Sequence, residues 1–193
     1  MYPDIKLSLP AWVAPFIEDQ PDTFPSDVEK MDLVVALSLR NLVEKTGGPF
    51  GAAVFDATSH QLVAPGVNLV VTKFCSAAHA EVVALSMAQQ VLQTHDLGAE
   101  GQPAHTLVSS TEPCAMCLGA VPWSGVTRLV CGATGEDAEK IGMDEGAKPA
   151  DWVETLTERG IAVTLKVRRV SAAAVLNDYA ASGAEIYNGR KGA

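Results

Sequence analysis

His79-Ala80-Glu81 and, 32 residues past Glu81, Pro113-Cys114-Ala115-Met116-Cys117 are the stretches whose residue types can do chemistry together. Cys114 and Cys117 stand three apart, so on a helix they share a face and can chelate one ion from one side. Pro113 suits the first helical position, where a missing N–H costs nothing. Both sulfurs are then expected at a helix N-terminus, whose partial positive charge favours thiolate. His79 adds a third ligand from a separate helix and leaves a fourth position for water. Three protein ligands with one open position is the catalytic arrangement of zinc, whereas a closed set of four is the structural one. One zinc ion per chain is the expectation.

Glu81 turns a metal site into a reaction. Two thiolates cancel the charge of a zinc ion, so the metal acidifies its water less than an all-histidine site would. A carboxylate that takes the proton makes up the difference. Two residues on from His79, Glu81 is expected about 200° round the helix, over the water and off the metal. H-x-E with P-C-x-x-C matches the signature of zinc nucleobase deaminases. Two plainer readings compete, a structural zinc knuckle and a C-x-x-C redox pair. A knuckle requires a fourth Cys or His at suitable spacing, and Cys75 and Cys131 form no second C-x-x-C; a redox pair has no use for His79 and Glu81.

The elements that must position these groups follow from capping and periodicity. Residues 1–25 hold Pro3, Pro10, Pro15, Pro21 and Pro25 and read as an irregular leader lying over a single domain, residues 26–193. Ser26-Asp27-Val28-Glu29 is a capping box that opens an amphipathic helix carrying Met31, Val34, Val35, Leu37, Leu39 and Leu42, closed by Gly47-Gly48. Strands are expected over 51–55, 61–72, 105–109, 126–133 and 161–167, and helices over 78–93, 113–123 and 172–181. A short helix should start near Trp152, after a loop or broken helix at 135–150. A helix between the last two strands makes them parallel neighbours. The sum is a three-layer α/β/α sandwich around a mixed five-stranded sheet.

Over 193 residues, 48% hydrophobic and 19% charged, the composition is that of a globular chain with a substantial core. No apolar run approaches the ~20 residues of a membrane helix. The first residues carry no basic stretch and apolar core of a signal peptide, so a cytoplasmic location with reduced thiols is expected. The net charge of −9, with basic residues clustered only weakly at Lys166-Val167-Arg168-Arg169 and Arg190-Lys191, argues against a nucleic-acid partner. Cys131 reads as a packed strand residue and Cys75 as packing near the site. His60, His95 and His105 are isolated from the ligand set. Trp12 and Trp152 read as packing residues, and Trp123, close behind the cysteine pair, as packing or part of a pocket floor.

The chain resembles the cytidine-deaminase-like superfamily and, within it, the bacterial guanine deaminases. The resemblance rests on Gly47-Gly48-Pro49-Phe50-Gly51-Ala52, Asn68, Ala78-His79-Ala80-Glu81 and Glu112-Pro113-Cys114-Ala115-Met116-Cys117-Leu118-Gly119-Ala120, and covers residues 26–190. It implies hydrolysis of guanine to xanthine and ammonia at a zinc site. An acidic residue of the loop Gly142-Met143-Asp144-Glu145 would then bind the purine, Glu145 first and Asp144 behind it. The chemistry is apt, because guanine offers its N1–H and C2 amine as adjacent donors to one carboxylate. The plain alternative is a solvated acidic loop. Asn68 would point its amide at a ring edge or simply end a strand, and Phe50 would stack on the heterocycle or pack in the core. Tyr187 lies in the C-terminal segment, which in related guanine deaminases crosses to a partner in a domain-swapped homodimer. Rival functions are deamination of another small amino-heterocycle, a pyrimidine or an aminotriazine, and tRNA adenosine deamination, which the acidic charge opposes. A zinc-stabilised binding domain would have no use for Glu81 or an open ligand position.

Overall fold

In the computed structural model, residue 2 and residues 6–190 are described. Pro3 of the leader and Lys191 of the terminal basic pair lie outside the described residues. In chain order the elements are α1 (Val13–Glu18), α2 (Asp27–Val43), β1 (Gly51–Asp56), β2 (Leu62–Val67), α3 (Val70–Lys73), α4 (Ala80–Val91), β3 (His105–Thr111), α5 (Ala115–Ser124), β4 (Arg128–Ala133), α6 (Gly135–Lys140), α7 (Trp152–Glu158), β5 (Ala162–Thr164) and α8 (Arg169–Ala181). The sheet order is β2-β1-β3-β4-β5. β1 runs antiparallel to β2 and β3, while β3–β4 and β4–β5 are parallel. The mixed five-stranded sheet with its last strands parallel is the one the helical crossover demands.

Successive strand residues face opposite ways, and both faces are covered. Ala52 and Val54 of β1, Leu107 of β3 and Leu129 and Cys131 of β4 meet α4, α5 and α7 on one side. Ala53, Phe55, Val108 and Val130 meet α1 and α2 on the other, where α8 packs over the β4 end. α2 starts at Ser26, whose side chain accepts from the Glu29 N–H while the Glu29 carboxylate accepts from the Ser26 N–H at 2.8 Å. Met31, Val34 and Leu37 on its inner face are fully buried, each worth about 1.5–3 kcal/mol. Among the described residues no helix is long and apolar enough to cross a membrane.

Several boundaries differ from the sequence reading for local physical reasons. The leader is not wholly irregular. α1 buries Val13, Trp12 Nε1 donates to Thr46 Oγ1 at 2.9 Å, and Phe24 packs edge-on against Phe55 with ring centroids 5.5 Å apart. The apolar run at 61–72 is a strand only to Val67. Asn68 Oδ1 then accepts from Val70 N at 3.3 Å and turns the chain into α3. Thr134 and Asp137 form a capping box that starts α6 inside the stretch read as loop or broken helix.

One close approach matters for the site. A Cβ on Gly66 of β2 would stand 2.3 Å from Ala80 O and 2.5 Å from Ala84 N. Glycine therefore lets α4, with the histidine and glutamate at its start, lie directly on the sheet.

Candidate active site

His79 and Cys114 are the N-caps of α4 and α5, two helix starts that meet at the ends of β2 and β3. His79 has extended backbone torsions, φ −68° and ψ 155°, so it stands outside the helix. The 200° separation expected from Glu81 therefore does not apply, and both side chains reach one centre. Pro113 likewise precedes the cap instead of opening the helix, because Cys114 is itself extended at φ −66° and ψ 171°. Cys117 follows inside the first turn of α5, buried.

The ligand atoms of His79, Cys114 and Cys117 lie within 4.8 Å of one another, and His79 Nδ1 is 3.5 Å from Cys114 Sγ. Tetrahedral zinc with bonds of roughly 2.0–2.3 Å requires a nitrogen–sulfur separation of ~3.6 Å, so the donor set fits that ion. Glu81 is 6% exposed; its Oε1 accepts from Ser109 Oγ at 3.2 Å, and Cys117 Sγ sits 3.4 Å from its Oε2. A buried carboxylate held this way has one oxygen fixed by β3 and the other turned to the sulfur cluster.

The electrostatics suit proton traffic. Burial pushes the Glu81 carboxyl above its ordinary value, and the neighbouring Cys114 charge adds to this. The hydrogen bond from Cys117 draws the Cys114 thiol down to about 4, helped by His79, while that same bond and burial raise Cys117. The two sulfurs are thus pushed in opposite directions, and a cation bound by both would favour the thiolate form of each. For His79 burial favours the neutral ring, but the Cys114 bond and the Glu81 charge prevail and raise it.

A pocket opens over this cluster, lined by Gly48, Phe50, Asn68, Val70, Glu112, Met143, Asp144, Glu145, Tyr179, Glu185 and Tyr187 together with His79, Glu81 and Cys114. Asn68 is 7% exposed, and its Oδ1 accepts from Gly48 N at 3.4 Å as well as from Val70. Its amide nitrogen is left as a donor without a protein partner among the described residues. Glu145 is 8% exposed, and its Oε2 is buried with no hydrogen-bond partner among the described residues. Burial raises this carboxyl to about 8 against the opposing charge of Lys148. Asp144 differs: its Oδ1 accepts from Gly146 N at 2.9 Å, so the side chain is committed to its own turn. The two acids weighed in sequence thus stand in different environments, and Glu145 holds the unsatisfied oxygen.

The C-terminal segment folds over the pocket of its own chain. Asn188 accepts from Asp144 N at 2.9 Å and donates to Gly142 O at 2.8 Å, and Tyr179 donates to Glu185 O. Tyr187 borders the pocket while 43% exposed. Trp123 is a correction. Six residues past Cys117, or about 240° round α5, it projects away from the sulfurs, 87% exposed beside Pro122 and Trp152, and floors no pocket near them. Sequence reasoning missed Ser109, Tyr179 and Glu185. Ser109 carries no signal within its strand, and the other two reach the site only because α8 and the tail turn back over it. His60, His95 and His105 stay outside the ligand group, and Cys75 packs against the α2-side core.

Fold and site together define a zinc-dependent deaminase. Residues 25–133 match the family model described as the cytidine and deoxycytidylate deaminase zinc-binding region. The structure is similar to that of a guanine deaminase from Nitrosomonas europaea, 46% identical with a TM-score of 0.88 over 94% of this chain and 98% of that one. A protein solved in complex with 2,6-diaminopurine is 47% identical with the same TM-score, over 95% of this chain and 96% of that one. A guanine deaminase from Bacillus subtilis is 35% identical over 111 residues, 58% of this chain and 67% of that protein. The chain belongs to the cytidine and deoxycytidylate deaminase zinc-binding family, and it is an aminohydrolase.

Proposed function

We propose that this enzyme hydrolyses guanine to xanthine and ammonia, with one zinc ion per chain held by His79, Cys114 and Cys117. The observation that carries the choice of substrate is the Glu145 carboxyl group, buried in the pocket with an oxygen that no group among the described residues satisfies. Guanine supplies the two adjacent N–H donors it lacks, N1–H and the C2 amine. Similarity to guanine deaminases and to a protein that binds a diaminopurine supports the same reading.

Zinc, when bound, supplies Lewis acidity that lowers the pKa of a water. Glu81 would take one proton from the attacking water and pass it to N3 of the base, then take the proton of the new C2 hydroxyl and deliver it to the amine, which leaves as ammonia as the C2 carbonyl forms. Its raised pKa suits a group that must both accept and return protons. Ser109 keeps one Glu81 oxygen in place during this exchange. Glu145 holds the N1 edge, Asn68 donates to an acceptor on the ring, and Phe50 lies against its face. Tyr187 and the tail shield the pocket from water.

An aminotriazine with a guanine-like donor edge fits Glu145 equally well and is the second reading. Residues 26–193 are proposed as the deaminase domain, with α1 and Phe24 of the leader packed on it. A cytoplasmic setting accords with the free thiols of the site, and a role in purine breakdown with the hydrolysis of guanine. A homodimer is supported by the apolar outer face of α5, where Trp123 and Met116 are exposed. Exchange of the C-terminal segments between two copies would preserve its contacts with 142–144. Sedimentation tests the dimer, and a monomer at micromolar concentration rejects it. Ammonia release across free bases, nucleosides, aminotriazines and tRNA tests the function. Guanine should lead, and turnover of tRNA adenosine with guanine ignored would reject the assignment.

A further inference from the structure

The loop that carries Glu145 is held to the metal-binding helix from two sides. Glu145 O accepts from Ala115 N at 2.9 Å, which satisfies an otherwise free donor in the first turn of α5. Three residues on, Lys148 Nζ lies 3.2 Å from Glu112 Oε2, and both side chains are only 13% exposed. The same Glu112 oxygen accepts from Gly135 N at 3.1 Å. Lys148 Nζ also stands 4.7 Å from the centre of the Trp152 ring, a cation–π contact that fixes its approach. Gly135 sits at the junction. A Cβ there would be 3.4 Å from Lys148 Nζ, 3.6 Å from Glu112 Oε2 and 3.6 Å from Glu145 Cγ.

We propose that Lys148, paired with Glu112, is a positioning residue that fixes the Glu145 carboxylate in the pocket and so sets affinity for the base. The inference rests on the reading of Glu145 as the group that binds guanine. Glu145 approaches the pocket on a loop without regular structure, and a carboxylate that must meet two donors at once tolerates little displacement. Misplacement of a binding group by about 1 Å is enough to cost roughly 10²-fold. Glu112 immediately precedes the Pro113–Cys114 step, so the brace ties the substrate loop to the helix that carries both sulfurs. Lys148 belongs neither to the pocket lining nor to the His79, Cys114 and Cys117 ligand group, and its effect passes through Glu145.

The test compares zinc-loaded wild type with K148M, K148R, E112Q and the K148M/E112Q double variant for guanine kinetics, zinc content and melting temperature. K148M should raise KM by about tenfold to a hundredfold with kcat changed far less, as for a loss of ground-state binding, and with zinc unchanged. K148R, which keeps the charge and the pair, should restore KM. K148M leaves a buried carboxylate unpaired and should lower the melting temperature. The double variant removes that charge and should recover stability while KM stays high, and the two single effects on KM should not add. If K148M fails to fold, K148Q, which removes the charge but leaves Glu112 of the pocket lining unchanged, carries the KM measurement. A wild-type KM in K148M, or a double variant that recovers KM along with stability, overturns the proposal. If Glu145→Gln itself leaves guanine KM unchanged, the reading of Glu145 falls and this inference with it. A defective Glu145→Gln beside an unaffected K148M removes the brace alone.

Discussion

Replacing Glu145 with Gln should make the enzyme more stable and less active at once, and both effects follow from one unsatisfied oxygen. The folded carboxyl is raised to about 8 from an ordinary 4.5, chiefly by burial. Between those two values the unfolded chain binds fewer protons than the folded one, so stability falls as pH rises through that window. At pH 7 the penalty is on the order of 3 kcal/mol. Glutamine removes the ionisation but keeps a buried polar group with no partner, which costs about 1–3 kcal/mol. The nearby zinc cation, by favouring the carboxylate, reduces the gain further. A net gain of roughly 1 kcal/mol at pH 7 should appear as about 2–4 °C in melting temperature for a chain of this length. The gain should grow at pH 8.5 and vanish below pH 4.5. Against this, the amide would set N–H groups against the donors of guanine. Losing a charge-assisted pair of contacts in a dry pocket costs about 2–4 kcal/mol, or roughly 30- to 1,000-fold in kcat/KM. Thermal unfolding of zinc-loaded protein at the three pH values, with guanine kinetics on the same samples, decides the matter. A variant with kcat/KM near wild type and no pH-dependent stabilisation would show that Glu145 is a hydrated loop residue.

Glu81→Gln should retain zinc and lose about 10²- to 10⁴-fold in turnover, the range for a positioned acid–base group; near-normal turnover would remove Glu81 from the mechanism. Elemental analysis should find about one zinc per chain in wild type and little in Cys114→Ala, and a Cys114→Ala protein with full metal and activity would refute the ligand set. Gly66→Ala should destabilise by about 1–3 kcal/mol or more, because its Cβ meets the backbone of α4. It should also depress activity by moving His79 and Glu81 together, and full activity in a well-folded variant would show that α4 can shift without harm.

Much of the site was legible because local chemistry placed it. Two cysteines one turn apart beside a helix start, and a histidine with a glutamate at another, need only their own elements to present a ligand set. Helical and strand periodicity, with the capping box at Ser26, likewise led to the mixed sheet, since a helix between consecutive strands leaves one common solution for their direction. What the sequence could not decide was how the ends of those elements turn. His79 and Cys114 serve as caps with extended torsions, and this, rather than helical spacing, brings Glu81 beside Cys117.

Tertiary structure alone separated Glu145 from Asp144, adjacent residues of similar chemistry. Loop packing buries one and commits the other to a turn with Gly146. It also sent Trp123 to the outer surface, brought Tyr179 and Glu185 to the pocket from α8 and the tail, and joined Lys148 to Glu112 across 36 residues. The division has one physical cause. Ligand type and helix periodicity are properties of a few consecutive residues, whereas burial and long-range pairing depend on where distant segments come to rest.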